Sequence, residues 1–195
     1  MRCFSVLRAN RIYLWLAFCL FAFGWVIGEL FTDQILHVVK PSLEQLKSLA
    51  EKAQAQNSGL YTSTLIFGNN LRACVTMLLL GVLACAPSVL TLLFNGMMIG
   101  VMLGGTQEHV LGLVAFGILP HGIFEMPAIF ISAAFGMKLG RVLLVPLREK
   151  TRWQSFKFVW REIFSMSWLV VLLLVIAAAV EGTLTPTLLH TFVVQ

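Results

Sequence analysis

Residues 12–30 read IYLWLAFCLFAFGWVIGEL, a run of nineteen whose one charged side chain, Glu29, stands beside its end. A bilayer core about 30 Å thick is crossed by roughly 20 apolar residues of helix, and this run has that length and character. Tyr13, Trp15 and Trp25 lie towards its ends, where amphipathic rings favour the headgroup level. A second run, residues 163–180 (IFSMSWLVVLLLVIAAAV), carries no charge and stops at Glu181-Gly182. Composition agrees with both: 58% of the 195 residues are hydrophobic, 12% are charged, and the mean hydropathy is +0.87. A water-soluble fold of this size cannot cover so much apolar surface, so the expected class is all-α, a polytopic transmembrane bundle of about five crossings with broken or kinked helices.

Working outward from the first run, Arg2, Arg8 and Arg11 precede it like the charged start of a signal peptide, but Gly24-Trp25-Val26-Ile27-Gly28 offers no small-x-small cleavage site. It reads as a retained anchor, the first crossing. The stretch 32–64 is polar. Within it Ser42 and Gln45 form a capping-box pattern, Leu43, Leu46, Leu49, Ala50 and Ala53 follow at helical spacing, and Asn57-Ser58-Gly59 supplies a stop. An amphipathic helix lying on the membrane or on the protein's own helices is expected there.

Residues 67–87 and 88–105 are assigned to the second and third crossings, separated near Pro87. Their apolar cores are short, so a re-entrant pair of half-helices stands as the other reading. Residues 110–137 are too long for a simple crossing and hold Pro120, His121 and Glu125 near the middle, which predicts a kink, tilt or break at Pro120. Residues 138–162 carry Lys138, Arg141, Arg148, Lys150, Arg152, Lys157 and Arg161 against Glu149 and Glu162. Trp153, Phe156, Trp160 and Ile163 recur every three or four residues, the pattern of a basic amphipathic helix in the interface. Residues 163–181 form the last crossing.

Ten of the fourteen lysines and arginines lie before residue 12 or between 138 and 161, and four crossings between those regions put both on one side. By the bias of basic residues to cytoplasmic loops, the N-terminus is expected in the cytosol and the C-terminus outside, with the cell (inner) membrane as location. The re-entrant reading leaves two crossings and the same parity. The formal charge of +5 flanks membrane segments, so the partner it indicates is an anionic lipid bilayer and not nucleic acid.

A carboxyl group and an imidazole inside a crossing are costly to place, and residues four apart share one helix face. His121 and Glu125 could therefore form a polar clamp, handle a proton or substrate, or offer two ligands to a metal. Two ligands fall short of a zinc site, and Cys3, Cys19, Cys74 and Cys85 have no ligand spacing, so neither metal nor other cofactor is expected. Gly96, Gly100 and Gly104, and again Gly136 and Gly140, are spaced by four, which allows close backbone approach within the chain or along a homodimer seam. Asn69 and Asn95 are candidates to satisfy backbone groups freed at Pro87 or Pro120. Arg72 either anchors a helix end or pairs with Glu125 or Glu108. No lysine-bearing phosphate loop is present, and no nucleophile constellation accompanies His121 and Glu125 (only Ser132 follows), so enzymatic function is not expected.

Phe67-Gly68-Asn69-Asn70, Gly81, Leu93-Phe94-Asn95-Gly96-Met97-Met98-Ile99-Gly100, Ile118-Leu119-Pro120-His121-Gly122-Ile123-Phe124-Glu125-Met126-Pro127-Ala128-Ile129 and Gly136-Met137-Lys138-Leu139-Gly140 resemble, in this order, the stage II sporulation protein M family. The resemblance implies a membrane protein of about five helices. In spore formers the named member anchors peptidoglycan-degrading partners during engulfment. Carried over by position, the candidates are Asn69, Asn95, Gly96, Gly100, Pro120, His121, Gly122 and Glu125, with no catalytic role attached. The leading functional reading is a membrane scaffold or assembly factor for envelope partners, as a homo-oligomer. A transporter or permease-like component with a polar site at His121 and Glu125 is the other, motivated by the proline-broken helices.

Overall fold

The computed structural model describes residues 3–55, 59–83, 85–104 and 119–192; within these, the side chains at 46–47, 49–55, 119, 121 and 184–192 lie outside the description. Seven helices account for the described chain and no strand occurs in it: α1 Cys3–Ala9, α2 Arg11–Leu30, α3 Thr32–Ala55, α4 Gly59–Leu80, α5 Ala86–Gly104, α6 Leu119–Leu144 and α7 Arg152–Phe192. Five of them, α2, α4, α5, α6 and α7, are long and apolar enough to cross a membrane. The helices at 59–80 and 86–104, of 22 and 19 residues, rise about 33 and 28 Å at 1.5 Å per residue, so each is long enough for a full crossing.

Helix α6 is the hub. Of its apolar window 72% is buried, against 17–33% for the other four, and it touches α2, α4, α5 and α7. Small and medium side chains on it, Ala128, Ser132, Ala133, Phe135, Leu139 and Val142, are almost wholly enclosed. On the outer helices the large side chains point away: Trp15, Phe23, Leu79, Phe164 and Trp168 are exposed, as hydrocarbon solvent permits.

Two glycine seams set the packing. A Cβ at Gly24 or Gly28 of α2 would overlap the backbone at Leu93 or Met97 of α5, and one at Gly96 or Gly100 would overlap the backbone at Phe21 or Trp25. The ascending pairs make α2 and α5 parallel neighbours. Gly104 ends the seam against the Thr32 hydroxyl. On the other side Gly136 and Gly140 of α6 meet Met77 and Gly81, again in ascending order, so α4 and α6 also run parallel. Glycine is required at these points because only the missing side chain lets the backbones approach. Both stripes are therefore occupied within the chain, which removes them as a homodimer seam.

Several elements extend beyond the segments expected from sequence. The polar helix α3 begins at Thr32, not at Ser42, with Asp33 in its first turn to complement the positive helix end, and it carries Pro41 in its interior. It contacts α5 and α4 and thus packs on the bundle. Pro87 sits in the first turn of α5, where a missing N–H costs nothing, and the chain reversal falls at Gly81–Cys85. Pro120 is the second residue of the described part of α6, and Pro127 lies in its interior, so the expected break at Pro120 falls at the edge of the described residues. The part of the expected crossing at 110–118 lies outside the described residues.

The expected interfacial segment 138–162 is divided. Residues 138–144 complete α6, a turn follows, and Arg152 starts a 41-residue helix that continues through the last apolar run. Thr151 caps it: the Gln154 N–H donates to Thr151 Oγ1 (3.2 Å) and the Thr151 N–H donates to Gln154 Oε1 (3.0 Å). Its inward face is Ser155, Val159, Glu162 and Met166, whereas Trp153 is 62% exposed. Of the expected apolar row, Phe156 and Trp160 are half-buried against the core and Ile163 is buried, while the polar residues of the inward face have partners. Ser155 Oγ donates to Thr151 O and accepts from the Leu147 N–H, both at 2.9 Å.

Candidate functional site

Two polar centres occupy opposite parts of α6. The first is the predicted one. Pro120, His121 and Glu125 stand in the first two turns of the helix, Gly122 is buried, and Glu125 is half-buried. The His121 side chain lies outside the described residues, so the expected pairing with Glu125 does too. Below Glu125, α6 presents the fully buried Ser132 to Cys74 of α4, and the Glu125 carboxyl is within electrostatic reach of that thiol. Among the described residues no group of three or more His, Cys, Asp or Glu side chains converges as metal ligands would.

The other expected members do not join this centre. Asn95 Nδ2 donates to Thr91 O one turn back on its own helix (2.8 Å), and Asn69 Nδ2 donates to the adjacent Asn70 Oδ1 (3.4 Å). In these bonds neither amide serves Pro87 or Pro120; an amide on a helix finds its own i−4 carbonyl before it finds a neighbour's. Arg72 is exposed on α4, and the described ion pairs, Lys40–Glu44 and Lys138–Glu162, do not include it. Glu108, its other proposed partner, lies outside the described residues. Around Arg72, Thr64, Gly68 and Thr76 are also exposed at intervals of four, and Gly68 differs from the seam glycines in having open space where its Cβ would be.

The second centre was not anticipated from sequence. At the far end of α6, Lys138 Nζ donates to Glu162 Oε2 of α7 at 2.5 Å and to Asn10 Oδ1 at 2.7 Å. Asn10 Nδ2 donates onward to Glu162 Oε1 (3.3 Å) and to Val6 O (2.8 Å). All three are nearly inaccessible: 7% for Lys138, 3% for Glu162 and 2% for Asn10. A charge taken out of water survives only when paired and hydrogen-bonded, and this cluster meets both needs. It ties the N-terminal helix to the α6–α7 hairpin, and Arg141 Nη1 donating to Tyr13 Oη (3.3 Å) repeats the tie. The two basic regions of the sequence therefore meet at one end of the bundle. A signal for the triad was present: Lys138 lies between Gly136 and Gly140, and Glu162 keeps helical register with Ser155, Val159 and Met166.

Comparison with known proteins accords with this architecture. The family model described as stage II sporulation protein M matches residues 16–186. Uncharacterized protein MJ0793 of Methanocaldococcus jannaschii is 28% identical over 178 residues, 90% of this chain and 95% of that protein. Uncharacterized protein MJ0706 of the same organism is 27% identical over 139 residues, 69% of this chain and 60% of that protein. No solved structure matches the chain.

Proposed function

The chain belongs to the stage II sporulation protein M family and is a multi-pass membrane protein, and from that premise we propose that it is a non-enzymatic scaffold which assembles in the membrane, as a homo-oligomer and with envelope partners, through the outer face of α4. One observation carries the reading: Arg72 is exposed on a helix of crossing length, eight residues or about 12 Å before its end, in a row with Thr64, Gly68 and Thr76. A cation and small polar residues facing hydrocarbon are costly, and such residues on crossing helices usually face protein or water. The same row lets a second helix come close, and a carboxylate at that depth would neutralise Arg72.

Arg72→Leu separates assembly from folding. The expected result is about a tenfold loss of oligomer by native mass spectrometry, or of co-purified envelope protein, while thermal stability stays within about 0.5 kcal/mol as for a surface change. Unchanged assembly would defeat the reading. The half-buried Glu125 near Cys74 and Ser132 favours a second one, a transport component. Under it, Glu125→Gln abolishes pH-dependent uptake by reconstituted protein with the fold intact; under the scaffold reading neither wild type nor variant shows flux.

A further inference from the structure

A cleft of about 560 Å³ opens at the start of α7, lined by Glu149, Lys150, Gln154, Lys157, Phe158 and Arg161. Cations converge on it. The Phe158 ring has Lys138 Nζ at 5.4 Å, Lys150 Nζ at 5.7 Å and Arg161 Cζ at 5.7 Å from its centre, while Lys157 Nζ sits 5.0 Å from the Trp153 ring. The buried carboxylate here, Glu162, is already engaged by Lys138. Glu149 remains on the cleft wall, held in the left-handed region at φ 60°, against three exposed cations. The cleft therefore keeps a surplus of positive charge. The helix makes matters worse, because its first turn contains no acid although the amino end of a helix is itself positive. Cation–π contact with a neutral ring holds the side chains together without neutralising them.

We propose that this cleft binds the phosphate of an anionic phospholipid, one molecule per chain. The exposed face of α7 distinguishes a lipid from a free anion. Lys157 and Arg161 are followed on the same face, three or four residues apart, by Phe164, Trp168, Leu172 and Val175, which are 70%, 56%, 45% and 48% exposed. From Arg161 to Val175 the helix rises about 21 Å, enough to accompany an acyl chain through a leaflet of about 15 Å. Two cations above an apolar strip match a phosphate above a hydrocarbon chain, whereas inorganic phosphate would use only the cations. Trp153 adjoins the cleft through Lys157, and rings of this kind collect at the headgroup level.

The test uses detergent-purified full-length protein titrated with phosphatidylglycerol, phosphatidylcholine or inorganic phosphate and read by native mass spectrometry. Wild type is expected to retain one phosphatidylglycerol and to discriminate against phosphatidylcholine. Lys157→Gln/Arg161→Gln should weaken that binding about tenfold or more, while Arg8→Gln/Arg11→Gln, an equal charge change at exposed positions of the same end, changes it less than about twofold. Equal losses in the two variants mean diffuse surface attraction and overturn the site. Displacement of the lipid by millimolar inorganic phosphate overturns the lipid assignment, and so does equal retention of phosphatidylcholine. If the double variant does not fold, Lys150→Gln replaces it: about a threefold loss supports the site, and an unchanged affinity overturns it.

Discussion

Gly100→Leu is expected to lower stability by at least about 3 kcal/mol, the upper end of the range for overpacked cores, and the melting temperature of the purified protein by about 6–12 °C. The size follows from what the new side chain meets. Its first carbon would overlap Trp25 O and stand 2.7 Å from the Glu29 amide nitrogen and 3.0 Å from Gly28 C, all backbone atoms of α2. A crowded side chain relaxes by changing rotamer, but a crowded helix backbone can only move as a whole. Since α2 and α5 also touch at Gly24, Gly28 and Gly96, separating them at one point loosens the seam along its length. Gly68→Ala is the control for packing within one chain, because nothing lies within 4 Å of its Cβ position, and it should not destabilise the monomer. A Gly100→Leu protein melting with wild type would show that α2 and α5 do not pack through these glycines.

Lys138→Met should be equally damaging for a different reason. Removing one partner of a buried ion pair leaves the other charge without compensation, which costs about 3–5 kcal/mol. Glu162 is 3% accessible and keeps only Asn10 as a described side-chain partner once the ammonium is gone. By the same logic, Lys138→Met/Glu162→Leu removes both charges and should return most of the loss, because an apolar pair of similar volume often equals a buried ion pair. Thermal unfolding of the two single variants and the double supplies the coupling energy directly. A single variant that costs less than about 1 kcal/mol, or a double variant that melts below both singles, would contradict the arrangement.

The crossings were legible from apolar length because hydrocarbon imposes that length on any helix that spans it. Residues 12–30 correspond almost residue for residue to α2. The stripe Gly96, Gly100 and Gly104 was legible as a close-approach surface, but its occupant was not: Gly24 and Gly28 sit three segments earlier, in a run that invites reading for a cleavage site. Periodicity at residues 153–163 marked Trp153, Phe156, Trp160 and Ile163 as one apolar row, but not that Ile163 is buried while Trp153 is exposed. In a membrane, large apolar side chains gain nothing by turning inward, and small or paired polar ones take the interior. The same inversion hid Lys138 and Glu162, which look like solvated charges until the residues that neutralise them are known. Nor does local pattern tell whether Arg72 faces lipid or protein, since that depends on which helices lie beside α4.

The triad also bears on how the chain is made. Asn10 emerges from the ribosome long before Lys138, 128 residues later, and Glu162, 152 residues later. Until the final hairpin is in place, Asn10 lacks both of its distant partners, and Lys138 is made 24 residues ahead of its carboxylate. A late part of the polypeptide thus fastens to an early one, and copies cut short after α5 are expected to lack this latch.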